Sequence, residues 1–311
     1  MSKRILVALG GNALLQPGQR GTFAQQMENV QASCNTLVQL IVEGHRLLVT
    51  HGNGPQVGNL LIQNEAAAEK IPSQPLYSCV AQTQGQMGYM IQSAMDDALR
   101  QRGLQLQTAA ILTRVLVDKA DPAFADPTKP VGPFFTKEYA REREALGETY
   151  MNDSGRGWRR IVPSPRPLEI VDEGIIEQTF ERCAVTIAVG GGGIPVIEEG
   201  GQYIGVDAVI DKDLASSLLA RRLDVDIFLI LTDVANVKLG YNTAHEVDLR
   251  QLSVRECQAH LAKGEFGLGS MAPKVQAAME FAQATHKAAI ITSLTDAVAA
   301  LAGKAGTRIT P

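Results

Sequence analysis

Hydrophobic and polar residues alternate along this chain in a way that predicts short buried strands and longer amphipathic helices. The opening stretch "VALGGNALL" is apolar, breaks at Gly-Gly-Asn and becomes apolar again, which predicts a strand, a tight turn and a helix. The next helix runs towards Gly44, and Thr22 with Gln25 has the pattern of a capping box. Its apolar positions recur at intervals of three and four: Met27, Val30, Cys34, Leu37 and Ile41.

The same alternation continues beyond Gly44, with glycine turns between the elements. "RLLVT" predicts a buried strand, "HGNGP" a turn, and Pro55 suits the first turn of the helix "PQVGNLLIQNEAAAE". A helix from about Val80 to Arg102 precedes a strand-like run, "QTAAILTRVLV". Later strands are predicted in "AVTIAV", "DIFLILTDV" and "KAAIITS", the last being the final strand, and later helices in "DLASSLLARRL", "SVRECQAHLAKG" and "APKVQAAMEFAQAT".

Strands that alternate with helices of this length predict an α/β protein. The expected architecture is a three-layer αβα sandwich, with a mainly parallel open sheet and helices on both faces. Ligands of such sheets bind beyond the carboxyl ends of the strands. In this chain those ends carry Gly10-Gly11-Asn12, His51-Gly52-Asn53-Gly54, Gly190 to Gly193, and Thr232-Asp233.

Residues 118–167 differ from the rest of the chain. They are rich in proline and charge and show no sustained periodicity. Because long structureless loops are uncommon inside compact domains, this segment predicts an inserted, protruding subdomain or lid within a single domain that spans residues 1–311.

Composition and charge narrow the possible functions. The formal net charge is −4 and the pI is about 5.8, which argues against electrostatic binding of nucleic acid through overall positive charge. The N-terminus lacks the features of a signal peptide and no apolar run is long enough to cross a membrane, so we expect a cytoplasmic protein. The four cysteines lie far apart without metal-ligand spacing, and we expect them to be reduced and mostly buried.

The glycine turns are candidates for binding an anion. Glycine lets backbone N–H groups approach an oxygen closely, and a helix N-terminus adds a favourable dipole. The run Gly190 to Gly193 is the strongest of these signals, since four successive glycines exceed what a plain turn requires. The chain has neither the GxxxxGK[ST] of a P-loop nor the GxGxxG of a dinucleotide-binding fold, which disfavours a dehydrogenase.

Lysines and carboxylates near predicted helix starts favour phosphoryl transfer. One predicted helix begins at Asp211, Lys212 and Asp213. Lys274 lies near the start of another predicted helix, and Lys129 lies in the inserted segment. Positive charge and backbone amides can stabilise a migrating phosphoryl group, and an ionised acceptor such as a carboxylate or carbamate needs no general base. His51 is accordingly interpreted as a residue that holds its turn in place, in preference to a catalytic base.

Eight stretches of the chain form a set in a fixed order: "VALGGNA", "THGNGPQVGNL", "DPAFADPTKPVGPF", "GRGWRRIVPSP", "GGGGIPV", "AVIDKDLAS", "LILTDV" and "GSMAPK". Taken together, they resemble the carbamate kinases of the amino-acid kinase superfamily over essentially the whole length of the chain. The resemblance implies the open αβα fold with a protruding subdomain and a homodimer. It also implies the reversible reaction of ATP with carbamate to give ADP and carbamoyl phosphate, with Mg²⁺ on the nucleotide, commonly run towards ATP.

The resemblance also assigns roles to residues and to the two halves of the chain, with the acceptor bound by about residues 1–210 and the nucleotide by about 211–311. No residue is assigned as a metal ligand. Three sets of site residues are implied: a phosphoryl and carbamate cradle of Gly10, Gly11, Asn12, Gly52, Asn53 and Gly54; a catalytic set of Lys129, Lys212, Lys274 and Asp213, which orients the lysines; and nucleotide contacts at Thr232, Asp233, Val234, Tyr241 and Met271.

One departure within the superfamily bears on the acceptor. Acetylglutamate kinases carry a lysine two positions before the first Gly-Gly, whereas this chain has Ala8 there and offers Lys129 from the subdomain. This difference favours carbamate over N-acetylglutamate as the acceptor. Two alternatives remain open: another superfamily kinase with a different small acceptor, and a regulatory protein without catalysis. Arginine or agmatine breakdown and purine-derived nitrogen catabolism are equally compatible sources of carbamoyl phosphate.

Overall fold

The computed structural model describes residues 2–16, 18–152, 157–267 and 271–311. Within them, the helices are α1 Phe23–Val42, α2 Gly54–Ala66, α3 Leu76–Gln101, α4 Lys137–Glu144, α5 Glu173–Arg182, α6 Lys212–Arg222, α7 Val254–Ala262, α8 Met271–Thr285 and α9 Ala297–Leu301. The strands are β1 Arg4–Leu9, β2 Arg46–His51, β3 Thr108–Ala110, β4 Arg114–Val117, β5 Lys129–Phe135, β6 Thr149–Asn152, β7 Trp158–Val162, β8 Pro167–Ile170, β9 Val185–Ile187, β10 Ile194–Glu199, β11 Gln202–Gly205, β12 Ile227–Thr232, β13 Val237–Leu239, β14 Val247–Leu249, β15 Gln251–Ser253, β16 Ala289–Ser293 and β17 Thr307–Thr310.

An eight-stranded sheet forms the centre of the fold, in the order β15-β17-β16-β12-β1-β2-β9-β3. Its neighbouring strands are parallel except for the pair β16 and β17. The central strand β1 pairs with β2 on one side and with β12 on the other, so Ala8 faces Thr50 and Ile230. The predicted mainly parallel open sheet is therefore confirmed.

The core lies in two layers, one on each face of this sheet. Alternate residues of β1 point to opposite faces, with Ile5 and Val7 in one apolar cluster and Leu6 and Ala8 in the other. Buried residues of α1, α3 and α9 complete the first cluster, and those of α5, α6, α7 and α8 complete the second. This arrangement is the predicted αβα sandwich.

Local sequence signals explain several helix starts. Thr22 and Gln25 form the predicted capping box at the N-terminus of α1. Pro55 occupies the first turn of α2, as expected. Asp211 caps α6, because its Oδ1 accepts hydrogen bonds from the backbone N–H of Asp213 at 2.9 Å and of Leu214 at 3.3 Å. The N-termini of α1, α2 and α6 are thus determined by residues close to them in the sequence.

Within residues 118–167 the chain has more regular structure than its sequence suggests. Strands β5, β7 and β6 form an antiparallel sheet, and α4 connects β5 to β6. This sheet packs on α2 so closely that a Cβ atom on Gly58 would lie 2.8 Å from the Cα of Gly132. Buried Val131 and Val162 pack with Val57 of α2. The segment is thus anchored to the sandwich through α2.

Three predicted elements differ from the structure. The run "QTAAILTRVLV" forms two strands in different sheets, because Thr113 leaves the line of β3 and donates its backbone N–H to Oε1 of Gln84 at 2.7 Å. "KAAIITS" is not the final strand, since β17 follows α9. Gly11–Ala13 forms one 3₁₀ turn in place of the predicted helix, and the next helix of the described residues begins at Phe23.

The four cysteines are free and buried, as predicted. Among the described residues, no helix combines the length and the apolar character that a transmembrane span requires.

Candidate active site at the carboxyl ends of the central strands

The carboxyl ends of β1, β2 and β12 meet at one edge of the sheet. Gly10 follows β1 and lies against β12, where a Cβ atom on Gly10 would be 2.7 Å from the carbonyl oxygen of Leu231. Gly11 is exposed, and a Cβ atom there would meet no atom within 4 Å. The turn after β1 is therefore tight on its sheet side and open on its solvent side. Asn12 belongs to the same turn, but its side chain lies outside the described part of the chain.

Two lysines converge on one buried carboxylate beside this turn. Asp213 lies in the first turn of α6, and its Oδ1 is 2.9 Å from Nζ of Lys212. Its Oδ2 is 2.9 Å from Nζ of Lys274, which comes from the first turn of α8. Lys212 also donates to the carbonyl oxygen of Leu9, the last residue of β1, at 3.0 Å. The cluster is thereby held against the end of the central strand.

Burial and charge act in opposite directions on the pKa values of this cluster. Burial lowers the pKa of Lys212 below its ordinary value, against the charge of Asp213, which raises it. Burial also acts to lower the pKa of Lys274, but the carboxylate of Asp213 outweighs it and the pKa lies above its ordinary value. Burial would raise the pKa of Asp213, yet the two ammonium groups hold it well below its usual range. Asp213 is therefore ionised at neutral pH.

A third lysine reaches the same helix from the inserted segment. Lys129, the first residue of β5, places its Nζ 2.9 Å from Oδ2 of Asp211. Asp211 immediately precedes Lys212 in the chain. The residues 211–213 therefore connect lysines from the insertion, from α6 and from α8.

The second glycine turn lies next to Lys212. A Cβ atom on Gly52 would be 4.0 Å from Cδ of Lys212. Asn53 is buried and donates from Nδ2 to Oγ1 of Thr83 at 2.9 Å, while Gly54 is exposed and begins α2. This turn is thus fixed by an internal hydrogen bond and places Gly52 beside Lys212.

The four-glycine run has a packing reason beyond its turn. A Cβ atom on Gly190 would lie 2.4 Å from Nε2 of His51, and one on Gly191 would lie 2.2 Å from Nδ2 of Asn53. All four glycines are buried. The run therefore packs directly against His51 and Asn53 of the second glycine turn, where any side chain would collide.

His51 is a neutral, structural histidine. Its side chain is buried, and Nδ1 lies 2.9 Å from the carbonyl oxygen of Gly52. Because a carbonyl can only accept, Nδ1 carries the proton. Burial lowers the pKa of His51 to about 4, against an ordinary value of 6.5. The interpretation that His51 holds its turn in place agrees with this geometry.

We expect His51 to make the protein less stable in mild acid. Below pH 6.5 the unfolded chain binds a proton at this residue, whereas the folded chain stays neutral down to about pH 4. The free energy of unfolding should therefore fall between pH 7 and pH 5, by about 2 kcal/mol from this residue. Denaturant unfolding at both pH values measures the change, and His51→Asn should remove that part of it.

The exposed His245 provides the matched control. His245→Asn should leave the pH dependence as it is in the unmodified protein. An unchanged loss of stability in His51→Asn would contradict a neutral, buried imidazole.

A cleft of about 650 Å³ opens from the first glycine turn towards the C-terminal half of the chain. Its volume is in the range of small-molecule sites. Eight residues predicted for the site line it: Gly10, Gly11, Thr232, Asp233, Val234, Tyr241, Met271 and Lys274. Lys274 also belongs to the lysine cluster, so cleft and cluster are continuous.

Sequence reasoning missed part of this lining. Ser293, Leu294 and Thr295 follow the carboxyl end of β16, and the rule that ligands bind at such ends could have found them. Lys238 and Phe266 also line the cleft, but no motif marks them. The sequence places Asp211 at the start of a helix beside Lys212, but nothing in it indicates the contact of Asp211 with Lys129.

Among the described residues, no group of three or more histidine, cysteine or acidic side chains could hold a metal ion. Both oxygens of Asp213 contact lysines, and those of Asp211 contact Lys129 and the α6 backbone. A divalent cation at this site would therefore have to bring oxygen ligands from a phosphorylated substrate.

Comparison with known proteins defines the class to which this fold and site belong. The model of the amino acid kinase family matches residues 3–293, so the chain belongs to that family. This excludes the alternative of a dinucleotide-binding dehydrogenase.

Full-length relatives narrow the class further. The carbamate kinase of Pyrococcus furiosus is 48% identical, with 100% of both chains covered, and carbamate kinase 1 of Enterococcus faecium is 48% identical over 94% of each. The structure of Giardia lamblia carbamate kinase bound to AMP-PNP superposes with a TM-score of 0.92 at 45% identity, covering 99% of this chain and 98% of that one. Within the family, the chain belongs to the carbamate kinases. The predicted class of enzyme, an ATP-dependent phosphotransferase, is confirmed.

Proposed function

We propose that the lysine cluster and the adjoining cleft transfer a phosphoryl group reversibly between ATP and carbamate, giving ADP and carbamoyl phosphate. The observation that carries this proposal is the convergence of Lys129, Lys212 and Lys274 on residues 211–213. Of these lysines, Lys212 contacts the end of β1 and Lys274 lines the cleft that begins at Gly11. Phosphoryl transfer depends mainly on such an arrangement of positive charge around the migrating group.

The nucleotide would occupy the cleft, with its phosphates directed towards Gly10 and Gly11. Thr232, Asp233, Val234, Tyr241 and Met271 line the part of the cleft that is available to the nucleoside. In the bound Giardia relative the ligand is AMP-PNP, an ATP analogue, which supports a nucleotide as the occupant here.

The transferred phosphoryl group would lie between the two glycine turns. Lys212 and Lys274 would offset its charge, while Asp213 keeps both ammonium groups in place through contacts of 2.9 Å. Backbone N–H groups of residues 10–12 and 53–54 would donate to its oxygens, whereas the N–H of Gly52 already donates to the carbonyl oxygen of Leu9 at 3.3 Å. The side chain of Asn53 contributes indirectly, since its hydrogen bond to Thr83 fixes the second turn.

Carbamate would accept the phosphoryl group on the side of the inserted segment. Its oxygen is already ionised, so it attacks phosphorus without loss of a proton to the protein. Lys129 would bind the acceptor, which explains why neutral His51 need not act as a base.

Mg²⁺ would enter with ATP or ADP as part of the substrate and neutralise charge on the phosphate oxygens. The donor set described above fits this role, because the carboxylates nearest the transfer site are engaged by lysines.

A coupled assay for ATP formed from ADP, Mg²⁺ and carbamoyl phosphate tests the proposal. We expect turnover by the unmodified protein. Lys129→Ala should lower kcat/KM for carbamoyl phosphate by about 10 to 100-fold, because it removes one charge-assisted contact to the acceptor.

Lys119→Ala provides a matched control, since Lys119 lies in the same inserted segment but is 71% exposed and pairs with Glu199. Its activity should stay unchanged. Absence of ATP formation by folded protein that binds nucleotide would refute carbamoyl phosphate as the substrate and favour a different acceptor or a regulatory role.

The remaining assignments follow from the resemblance to the carbamate kinases. They are a homodimer, a cytoplasmic location, net flux towards ATP, and a supply of carbamoyl phosphate from arginine, agmatine or purine-derived nitrogen catabolism. We also keep the division into an acceptor half, residues 1–210, and a nucleotide half, residues 211–311; its support is that most of the cleft lining comes from residues 231–295, while Gly10 and Gly11 contribute from the first half.

A further inference from the structure

Asp211 uses its two carboxylate oxygens for different purposes. Oδ1 accepts the backbone N–H groups of Asp213 and Leu214, which caps α6. Oδ2 accepts from Nζ of Lys129 at 2.9 Å, across 82 positions of the sequence. Helix capping alone requires one oxygen, so the second contact is additional.

The contact with Lys129 joins the inserted segment to the lysine cluster. The Asp211 side chain is 14% exposed and that of Lys129 is 34% exposed, so this ion pair is better shielded than a surface pair. Farther along β5, Gly132 packs against Gly58 of α2. The insertion is therefore fixed to the sandwich at α2 and again at Asp211, and the second attachment lies where the phosphoryl group would be transferred.

The charges at residues 211–213 are arranged in alternation. Asp211 holds Lys129, and Asp213 holds Lys212 and Lys274. Two carboxylates thus position three ammonium groups, which leaves a net positive charge for an anionic ligand. Each carboxylate contacts lysines from a different part of the fold. Asp213 contacts those of α6 and α8 on the nucleotide side, and Asp211 contacts Lys129 of the insertion.

We propose that Asp211 is a positioning residue that directs Lys129 to the acceptor, carbamate or carbamoyl phosphate, and so makes acceptor binding depend on the docked insertion. This inference rests on the proposed function, and it goes beyond it by assigning the residue through which Lys129 acts. Without the carboxylate, the ammonium group of Lys129 would be free to turn towards solvent, and β5 would lose one of its attachments.

Asp211→Asn separates the two roles of this side chain. Asparagine is as good a helix cap as aspartate, so α6 keeps its N-terminus. The amide lacks the negative charge that holds Lys129. We expect KM for carbamoyl phosphate to rise about tenfold, with KM for ADP changed by less than about twofold. Asp207→Asn, at an exposed position four residues earlier, is the matched control and should behave as the unmodified protein.

A double-mutant cycle tells positioning from a general structural effect. If Asp211 acts through Lys129, Asp211→Asn should have no further effect on KM in a Lys129→Ala background. Equal and additive effects in the two backgrounds would overturn the proposal.

Hydrogen exchange measured by mass spectrometry provides a readout that needs no turnover. In Asp211→Asn the backbone amides of residues 129–135, apart from Pro130 and Pro133, which have none, should exchange faster, while those at the start of α6 stay protected. Unchanged exchange in β5 would refute the attachment, and so would a loss of protection in α6, because the kinetic effect would then come from a damaged cap. Faster exchange together with no ATP formation by the unmodified protein would refute the proposed acceptor, and with it the assignment of Lys129 to that acceptor, while the attachment itself would stand.

Discussion

Gly11→Val should abolish most of the activity and leave the fold intact. Gly11 lines the cleft, and a Cβ atom there meets no protein atom within 4 Å, so the valine side chain would extend into the space proposed for the phosphates. Displacement of a reacting group by about 1 Å can cost about 100-fold in rate, and we expect at least that loss in kcat/KM. The coupled ATP assay measures it. Thermal unfolding should change little, because Gly11 is exposed and its φ is not positive.

Gly174→Val is a suitable control, since Gly174 is exposed, has open space around it and lies in α5, away from the cleft. It should retain activity. Gly10 is unsuitable for this test, because a Cβ atom there would collide with the carbonyl oxygen of Leu231 and destabilise the fold. Normal turnover in a folded Gly11→Val protein would exclude this turn from the phosphate site.

Asp213→Asn should impair both activity and stability. The variant leaves the ammonium groups of Lys212 and Lys274 without the carboxylate that both contact at 2.9 Å. Breaking a buried ion pair costs about 3 to 5 kcal/mol, and loss of the oriented charges should lower kcat by at least about 100-fold. Denaturant unfolding and the coupled assay measure the two effects.

The pH dependence of this variant distinguishes charge from shape. Burial already lowers the pKa of Lys212, whereas the carboxylate of Asp213 raises it. Removing that carboxylate should therefore lower the pKa of Lys212 further. The folded state then binds fewer protons than the unfolded state, and the free energy of unfolding should increase as the pH is raised towards about 9. Asp97→Asn, which removes half of an exposed pair with Arg100 on α3, should cause neither effect. A stability loss independent of pH would point to packing as its cause.

The central fold could be predicted because each strand carries its own pattern. The run from Ile5 to Leu9 is apolar on both faces, as a central parallel strand must be, and Gly10 ends it. The inserted sheet could not be predicted in this way. Strands β6 and β7 have only four and five residues, and the longer β5 contains Pro130 and Pro133, which hide the strand pattern. The two directions of "QTAAILTRVLV" depend on a tertiary hydrogen bond from Thr113 to Gln84.

The residues of the site likewise fall into those that the sequence could predict and those that it could not. Glycines and lysines next to strand ends and helix starts marked Gly11, Lys212 and Lys274 in the sequence, since local chemistry makes these positions unusual. The role of Asp211 towards Lys129 involves residues 82 positions apart and has no local signal. The packing of Gly191 against Asn53 is likewise visible only once the two turns are brought together.

The pairing of β1 with β12 has a consequence for synthesis of the protein. Residues 4–9 can acquire this neighbour only after residues 227–232 have left the ribosome. At about 5 to 20 residues per second, the apolar edge of β1 stays open for roughly 10 to 45 seconds. The cleft, which is lined by the turn after β1 and by the end of β12, cannot exist in the nascent chain during that time. Until β12 is available, this edge is open to pairing with other chains, and a chaperone that shields residues 4–9 would prevent that pairing.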